Sequence, residues 1–179
     1  MKKDKRFLIL GMFFQIIALI LFSVCIPLVD KHIGFQQEFI RNADVSRILA
    51  NQASFTALLD FRIMKSFNKL GYYNISDPDF LSGLEELQNL LRTQLKQLQT
   101  IASVGPEPSL YNYWDTLDYN QLQSEVNSYS SGPVVMKLRE VADKERSLML
   151  KKSIYLSLAI FFSILGTTFQ LLSSFIKKG

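Results

Sequence analysis

The sequence predicts an all-α membrane protein in which two transmembrane helices flank an antiparallel four-helix bundle, and three observations predict it. In a chain that is 48% hydrophobic and 20% charged, the apolar residues are concentrated at the two ends. Residues 7–29 and 153–176 form runs of twenty-three and twenty-four residues without a formal charge. Each exceeds the roughly 20 residues that carry a helix across about 30 Å of hydrocarbon. The 123 residues between them have a soluble composition, place apolar side chains at three- and four-residue steps, and show no strand-like alternation.

The order is therefore a basic tail (1–6), a first span (7–29), an extracytoplasmic bundle (30–152), a second span (153–176) and a short tail (177–179). The basic start could open a secretory signal, but such signals have an apolar core of about 7–15 residues that ends at small residues. This run is longer and ends Cys25-Ile26-Pro27-Leu28-Val29, and Val24 stands where lipoprotein processing at Cys25 needs a small residue. It reads as an uncleaved signal anchor. The tails hold six Lys or Arg against Asp4, a net of +5, and the middle holds fourteen basic and fifteen acidic residues, a net of −1. That asymmetry places both termini in the cytoplasm, with Lys137, Arg139, Lys144, Arg146, Lys151 and Lys152 pulling the other way. The basic balance belongs to membrane flanks, so no nucleic-acid partner is expected. Cys25, inside a span, is the only cysteine, and helix packing must stabilise the bundle without a disulfide.

Taken in order, the first outer helix carries a stripe that includes Phe35, Val45, Leu49, Phe55, Leu59, Ile63, Phe67 and Leu70, with Gly71 as its stop and a kink or break expected at Pro27 or Gly34. Asp77 caps the second, Pro78 takes its first position, and Asp79, Glu85 and Glu86 favour the positive helix end. Leu84, Leu87, Leu91, Leu95, Leu98 and Ile101 form its apolar stripe to about Ser103, and Gly105-Pro106-Glu107-Pro108 ends it. A third helix is expected over 109–129, with Leu122, Val126 and Tyr129 on one side. Ser130-Ser131-Gly132-Pro133 reads as the turn into a fourth, which continues into the second span. By length, helices one and two should project beyond three and four.

This layout resembles the extracytoplasmic four-helix ligand-binding domains of bacterial chemoreceptors and sensor kinases. The resemblance is architectural, with no shared motif, and only Lys177, Lys178 and Gly179 follow the second span. A signal would therefore be expected to pass to another polypeptide.

No catalytic or cofactor motif stands out, and no metal is expected. His32 has no second imidazole or thiol beside it to share zinc. The acids from Asp77 to Glu86 lack calcium-loop spacing, and Asn74-Ile75-Ser76 is a glycosylation sequon by pattern alone. Arg139 with Asp143 and Glu140 with Lys144 are spaced as i,i+4 pairs of a solvated face. Tyr111, Tyr113 and Trp114 are expected as an aromatic collar at the membrane interface, with bundle core or a ligand pocket as the alternatives. The second span contains SILGTTFQLLSS, in which Ser163, Gly166, Thr167, Gln170 and Ser174 line up with Ala159 on about 100° of a helix. Gly11, Gln15 and Ala18 make a similar arc on the first. Small and polar stripes serve helix contacts within lipid, where small residues admit close approach and amides hydrogen-bond across the contact. The arcs serve the two spans mutually, another chain, or a water-lined path, and Gln15 and Gln170 lie at matching depth. The expected function is binding, as a sensor, adaptor or scaffold subunit whose partners are the lipid bilayer and another membrane protein or a second copy. The alternative is a self-assembling membrane effector or channel.

Overall fold

The computed structural model describes residues 2–71, 77–102 and 108–178, and its regular elements are all helical. The sequon and the break at Gly105-Pro106-Glu107 lie outside the described residues. Helix α1 (Lys2–Ile20) passes through a π-helical turn (Leu21–Cys25) into α2 (Ile26–Lys69), followed by α3 (Pro78–Ala102), α4 (Pro108–Asp115), α5 (Tyr119–Ser131) and α6 (Pro133–Lys178). Two of these helical runs contain segments long and apolar enough to cross a membrane, and 11% of each such window is buried within the protein.

The break expected at Pro27 or Gly34 is instead the π turn. Pro27 offers no N–H to the carbonyl four residues back, and its ring crowds that carbonyl. Widening the preceding turn relieves the conflict, and the Ile26 N–H donates to the Leu21 carbonyl five residues back. The helix then runs through Gly34 without interruption. It stops where expected: Gly71 sits at φ 80°, the left-handed conformation that glycine adopts without strain, and its N–H donates to the Asn68 carbonyl at 3.0 Å. Asp77 caps α3 through a 3.1 Å bond from the Asp79 N–H.

The third helix differs from expectation. Residues 109–129 form two helices, because Asp118 and Gln121 make a reciprocal capping box that starts α5. Pro108 begins α4 instead of ending α3. The reversal therefore falls between Asp115 and Tyr119. Ser130–Pro133 is a bend: only Gly132 leaves the helical conformation, its N–H still donates to the Ser128 carbonyl, and its own carbonyl accepts from Met136. Phe61 stacks on Tyr119 and Asn51 accepts from Ser130, so α5 runs antiparallel to α2. The pairs Gln37 with Glu145 and Asp30 with Lys152 show that α6 does so too.

The chain divides into two compact units, Met1–Glu38 with Ala142–Gly179, and Phe39–Val141. In the first, the apolar segments lie antiparallel. Asp30 and Lys152, the charges that border the apolar runs, form an ion pair at 2.7 Å, and Gln37 donates to Glu145 at 2.8 Å. On α6 the ion pairs Lys137 with Glu140 and Asp143 with Arg146 are spaced i,i+3, one residue tighter than the expected Arg139 with Asp143. At the surface, such pairs are worth little.

The second unit is built on α3. Leu91, Leu95 and Leu98 are fully buried against Leu122 and Val126 of α5, Trp114 of α4, Val134 of α6, and Ala50 and Ala57 of α2. Each buried leucine is worth roughly 1.5–3 kcal/mol. Arg92 of α3 closes the end of α4, donating to the carbonyls of Trp114 and Asp115 at 3.3 Å each, where a cation suits the negative helix end. At the start of α5, Tyr119 stacks on Phe61 of α2. Farther along, α2 continues to Lys69, and Met64 packs on Gly83 of α3.

Candidate functional site: the seam between the apolar helices and the outer face of α2

Glycine sets the contact between the two apolar helices. A Cβ on Gly11 would stand 2.8 Å from the Gly166 carbonyl oxygen, and one on Gly166 would stand 2.9 Å from that of Gly11. No side chain fits there, so the backbones touch. Ala18 and Ala159 are buried on the same seam. Beside the glycines, Gln170 Nε2 donates to Gln15 Oε1 at 2.9 Å and Gln15 Nε2 donates to Gln170 Oε1 at 3.3 Å. Phenylalanines flank the contact, with Phe14 stacked on Phe162 and Phe169, and Phe7 on Phe169, at centroid distances of 5.7–6.0 Å.

Of the stripe expected from SILGTTFQLLSS, the structure brings Ala159, Gly166 and Gln170 to the seam with Ser163 partly covered, and leaves Thr167 and Ser174 exposed. Their hydroxyls donate to carbonyls of their own helix, Thr167 to Ser163 and Ser174 to Leu171. The buried position is Ser173. Ala159, Gly166 and Ser173 are spaced by seven, as a supercoiled pair requires, whereas a wheel drawn at 100° per residue drifts about 20° every heptad. That drift carried the expected stripe onto Thr167 and Ser174.

The aromatic cluster separates. Trp114 is fully buried in the bundle core, edge-on to Tyr129 at 5.8 Å, so its indole meets protein instead of forming a lipid-facing collar. Tyr111 is partly buried beside it, 5.7 Å from Trp114 and beneath the Lys96 ammonium. Tyr113 is 49% exposed, the one of the three whose ring is open to its surroundings. Trp114 Nε1 and the Tyr119 hydroxyl have no hydrogen-bond partner among the described residues.

On α2 the apolar stripe faces outward over its second half. From Phe39 to Lys69 the buried residues are Ala43, Ala50, Ser54 and Ala57, and the eight large apolar side chains from Val45 to Leu70, including Leu49, Phe55, Leu59, Ile63 and Phe67, are 42–70% exposed. At 100° per residue they cover about 120° of arc directly opposite the alanines, along about 38 Å of helix. Small residues let α2 lie close to the bundle; the cost is an uncovered face. The pattern was readable as Ala43, Ala50 and Ala57 at intervals of seven, but the larger residues made the stronger periodic signal.

No known protein family, curated protein or solved structure matches this chain. Function therefore has to be argued from these surfaces alone.

Proposed function

We propose that the chain is a two-span integral membrane protein that acts by binding, with both termini cytoplasmic and the bundle held outside the membrane as an adaptor or scaffold subunit. The outward face of α2 carries this reading: a face of large apolar side chains opposite the helix's buried alanines favours a protein surface that covers it. Membrane anchorage is supported by the two apolar segments, which are mostly unburied and so are not the core helices of a soluble domain. The Asp30–Lys152 ion pair, at the border of both runs, fits emergence of the two helices at one level. The mutual amide bonds of Gln15 and Gln170 weigh against a water-lined path, since such a path would reward amides turned to water.

Purification from native membranes in mild detergent, followed by native mass spectrometry, tests the reading. The wild type should carry stoichiometric protein company, and the double substitution Leu59→Gln with Ile63→Gln should lose it while retaining helical circular dichroism. Identical company for both would sink the proposal.

A further inference from the structure

The occupant of the α2 face can be specified, on the proposed reading that the protein is anchored by its spans and works by binding. We infer that it is a second copy of this chain, paired through α2 as a parallel homodimer with each residue opposite its own counterpart.

Area is the first ground. Taking about 200 Å² for a fully exposed large side chain, the eight residues from Val45 to Leu70 present about 800 Å². That exceeds the 300–600 Å² typical of the largest apolar patch on a monomer and equals the share of one partner in a standard stable interface of about 1,600 Å². The patch is a straight stripe on one helix, the shape that a like helix covers best.

Charge is the second ground, and it selects the parallel arrangement. Asp60 and Arg62, both exposed, lie about 80° on either side of the stripe's centre. In a parallel pair about a two-fold axis the left border of one helix meets the right border of the other, so Asp60 of each copy faces Arg62 of its partner. In an antiparallel pair, borders of the same side would meet, and the border that carries Asp60 holds no base to receive it, while Asp44, on the border of Arg62, is already paired with Arg47 at 2.7 Å. Anchoring supplies a third constraint. Copies inserted in one bilayer with the same orientation stand at the same height, and α2 follows the first apolar segment in the chain, so equal residues come level. Gln52, exposed at the centre of the stripe, then meets Gln52 of the second copy, and an amide carries both the donor and the acceptor that its own copy needs.

Single cysteines in a Cys25→Ser background, oxidised in intact membranes, test the register. Gln52→Cys and Ile63→Cys should each give disulfide-linked homodimers, and Lys65→Cys, about 140° from the stripe's centre, should not. Asp60→Arg should weaken the dimer about tenfold by analytical ultracentrifugation in detergent, and Asp60→Arg with Arg62→Asp should restore it. Equal crosslinking at all three positions, no restoration by the charge exchange, or a monomer throughout would overturn the homodimer. If a monomer still holds a different protein that Leu59→Gln with Ile63→Gln releases, self-pairing fails and the binding reading survives. If neither a dimer nor stripe-dependent company exists, both fail. Labelling of Ile63 by a lipid-borne photoprobe without dimerisation would give the face to the bilayer and overturn the inference.

Discussion

Residues 7–25 and 43–70 turn small side chains inward at seven-residue intervals, Gly11 and Ala18 in the first stretch and Ala43, Ala50 and Ala57 in the second, yet their outward faces stand in different company. Around Gly11 the exposed residues are Ile9, Met12, Phe13, Ile16 and Leu19, with no charge among their neighbours from Phe7 onward. Hydrocarbon suits such a face as it stands. Around Ala57 the exposed Leu59 and Ile63 are bordered by Asp60, Arg62 and Lys65, residues that keep a helix in water. The same inside-out packing therefore leaves a face without charge in the first region and an apolar face bordered by charge in the second. Apolar exposure acquires meaning from the charges beside it.

The largest expected effect is at the glycines. Gly11→Leu and Gly166→Leu each force a side chain against the facing backbone, where the first added carbon already comes within 2.8–2.9 Å of a carbonyl oxygen. Each should cost about 3 kcal/mol or more, because backbone cannot rotate aside as a side chain does. Crosslinking between cysteines at 15 and 170, in a Cys25→Ser background, should fall to background in either variant. Undiminished crosslinking would show that the close approach does not hold the pair together.

The second region offers a sharper test within two residues. Ala57 is fully buried and Leu59 is 43% exposed on the opposite face. Ala57→Leu should destabilise the bundle by about 1–3 kcal/mol through overpacking, whereas Leu59→Gln should shift monomer stability by no more than about 0.5 kcal/mol. Chemical melts in detergent, at a concentration where the protein is monomeric, would read the difference. Equal effects would mean that α2 does not present these faces as described.

Helix content, the Gly71 stop, the Asp77–Pro78 start and the α3 stripe were legible in the sequence because each depends on local chemistry. Leu91, Leu95 and Leu98 recur on one side of a helix whose other side is polar, and burial followed. The reversal between α4 and α5 was missed although Asp118 and Gln121 carry its signal, because Ser130-Ser131-Gly132-Pro133 offered louder turn residues three turns later. The outward turn of the α2 stripe was not legible for a different reason. Hydrophobic periodicity identifies a stripe but not its neighbour, and here close approach through alanine was worth more to the bundle than the area of the larger side chains. At the seam, Gly11, Ala18, Ala159 and Gly166 were legible as small residues, while the inward turn of Ser173 follows a seven-residue spacing that a wheel at 100° per residue does not keep.

A smaller effect concerns the core of the second unit. Burial pushes the Tyr119 phenol above its ordinary 10.0, Asp60 adds to the rise and Arg62 opposes it. The folded chain thus holds this proton more tightly than the unfolded chain. Its contribution is complete below pH 10 and is lost as pH rises through the folded value. Since the hydroxyl has no partner among the described residues, Tyr119→Phe removes a desolvated polar group and should raise stability by up to about 1 kcal/mol. It should also flatten the loss of stability as pH rises above the phenol's ordinary 10.0. A variant less stable than the wild type would point to a hydrogen bond at that hydroxyl.

The smallest expected effect decides what the seam's amides contribute. Gln15 and Gln170 donate to one another at 3.3 and 2.9 Å at the edge of the glycine contact, next to Gly11 and Gly166. Replacing one glutamine by leucine removes both bonds at once and leaves the other amide facing apolar surroundings. Replacing both removes the pair without leaving an orphan. Polar contacts of this kind between membrane helices average about 0.6 kcal/mol and reach about 1.7 kcal/mol, well below the cost of a side chain at Gly11. Gln15→Leu and Gln170→Leu should each weaken the pairing by about that amount, and the double variant should be no worse than the worse single one. A double-mutant cycle read by unfolding in detergent measures the coupling directly. Additive losses would show two amides serving separate partners, and the seam would then be held by its glycines and phenylalanines alone.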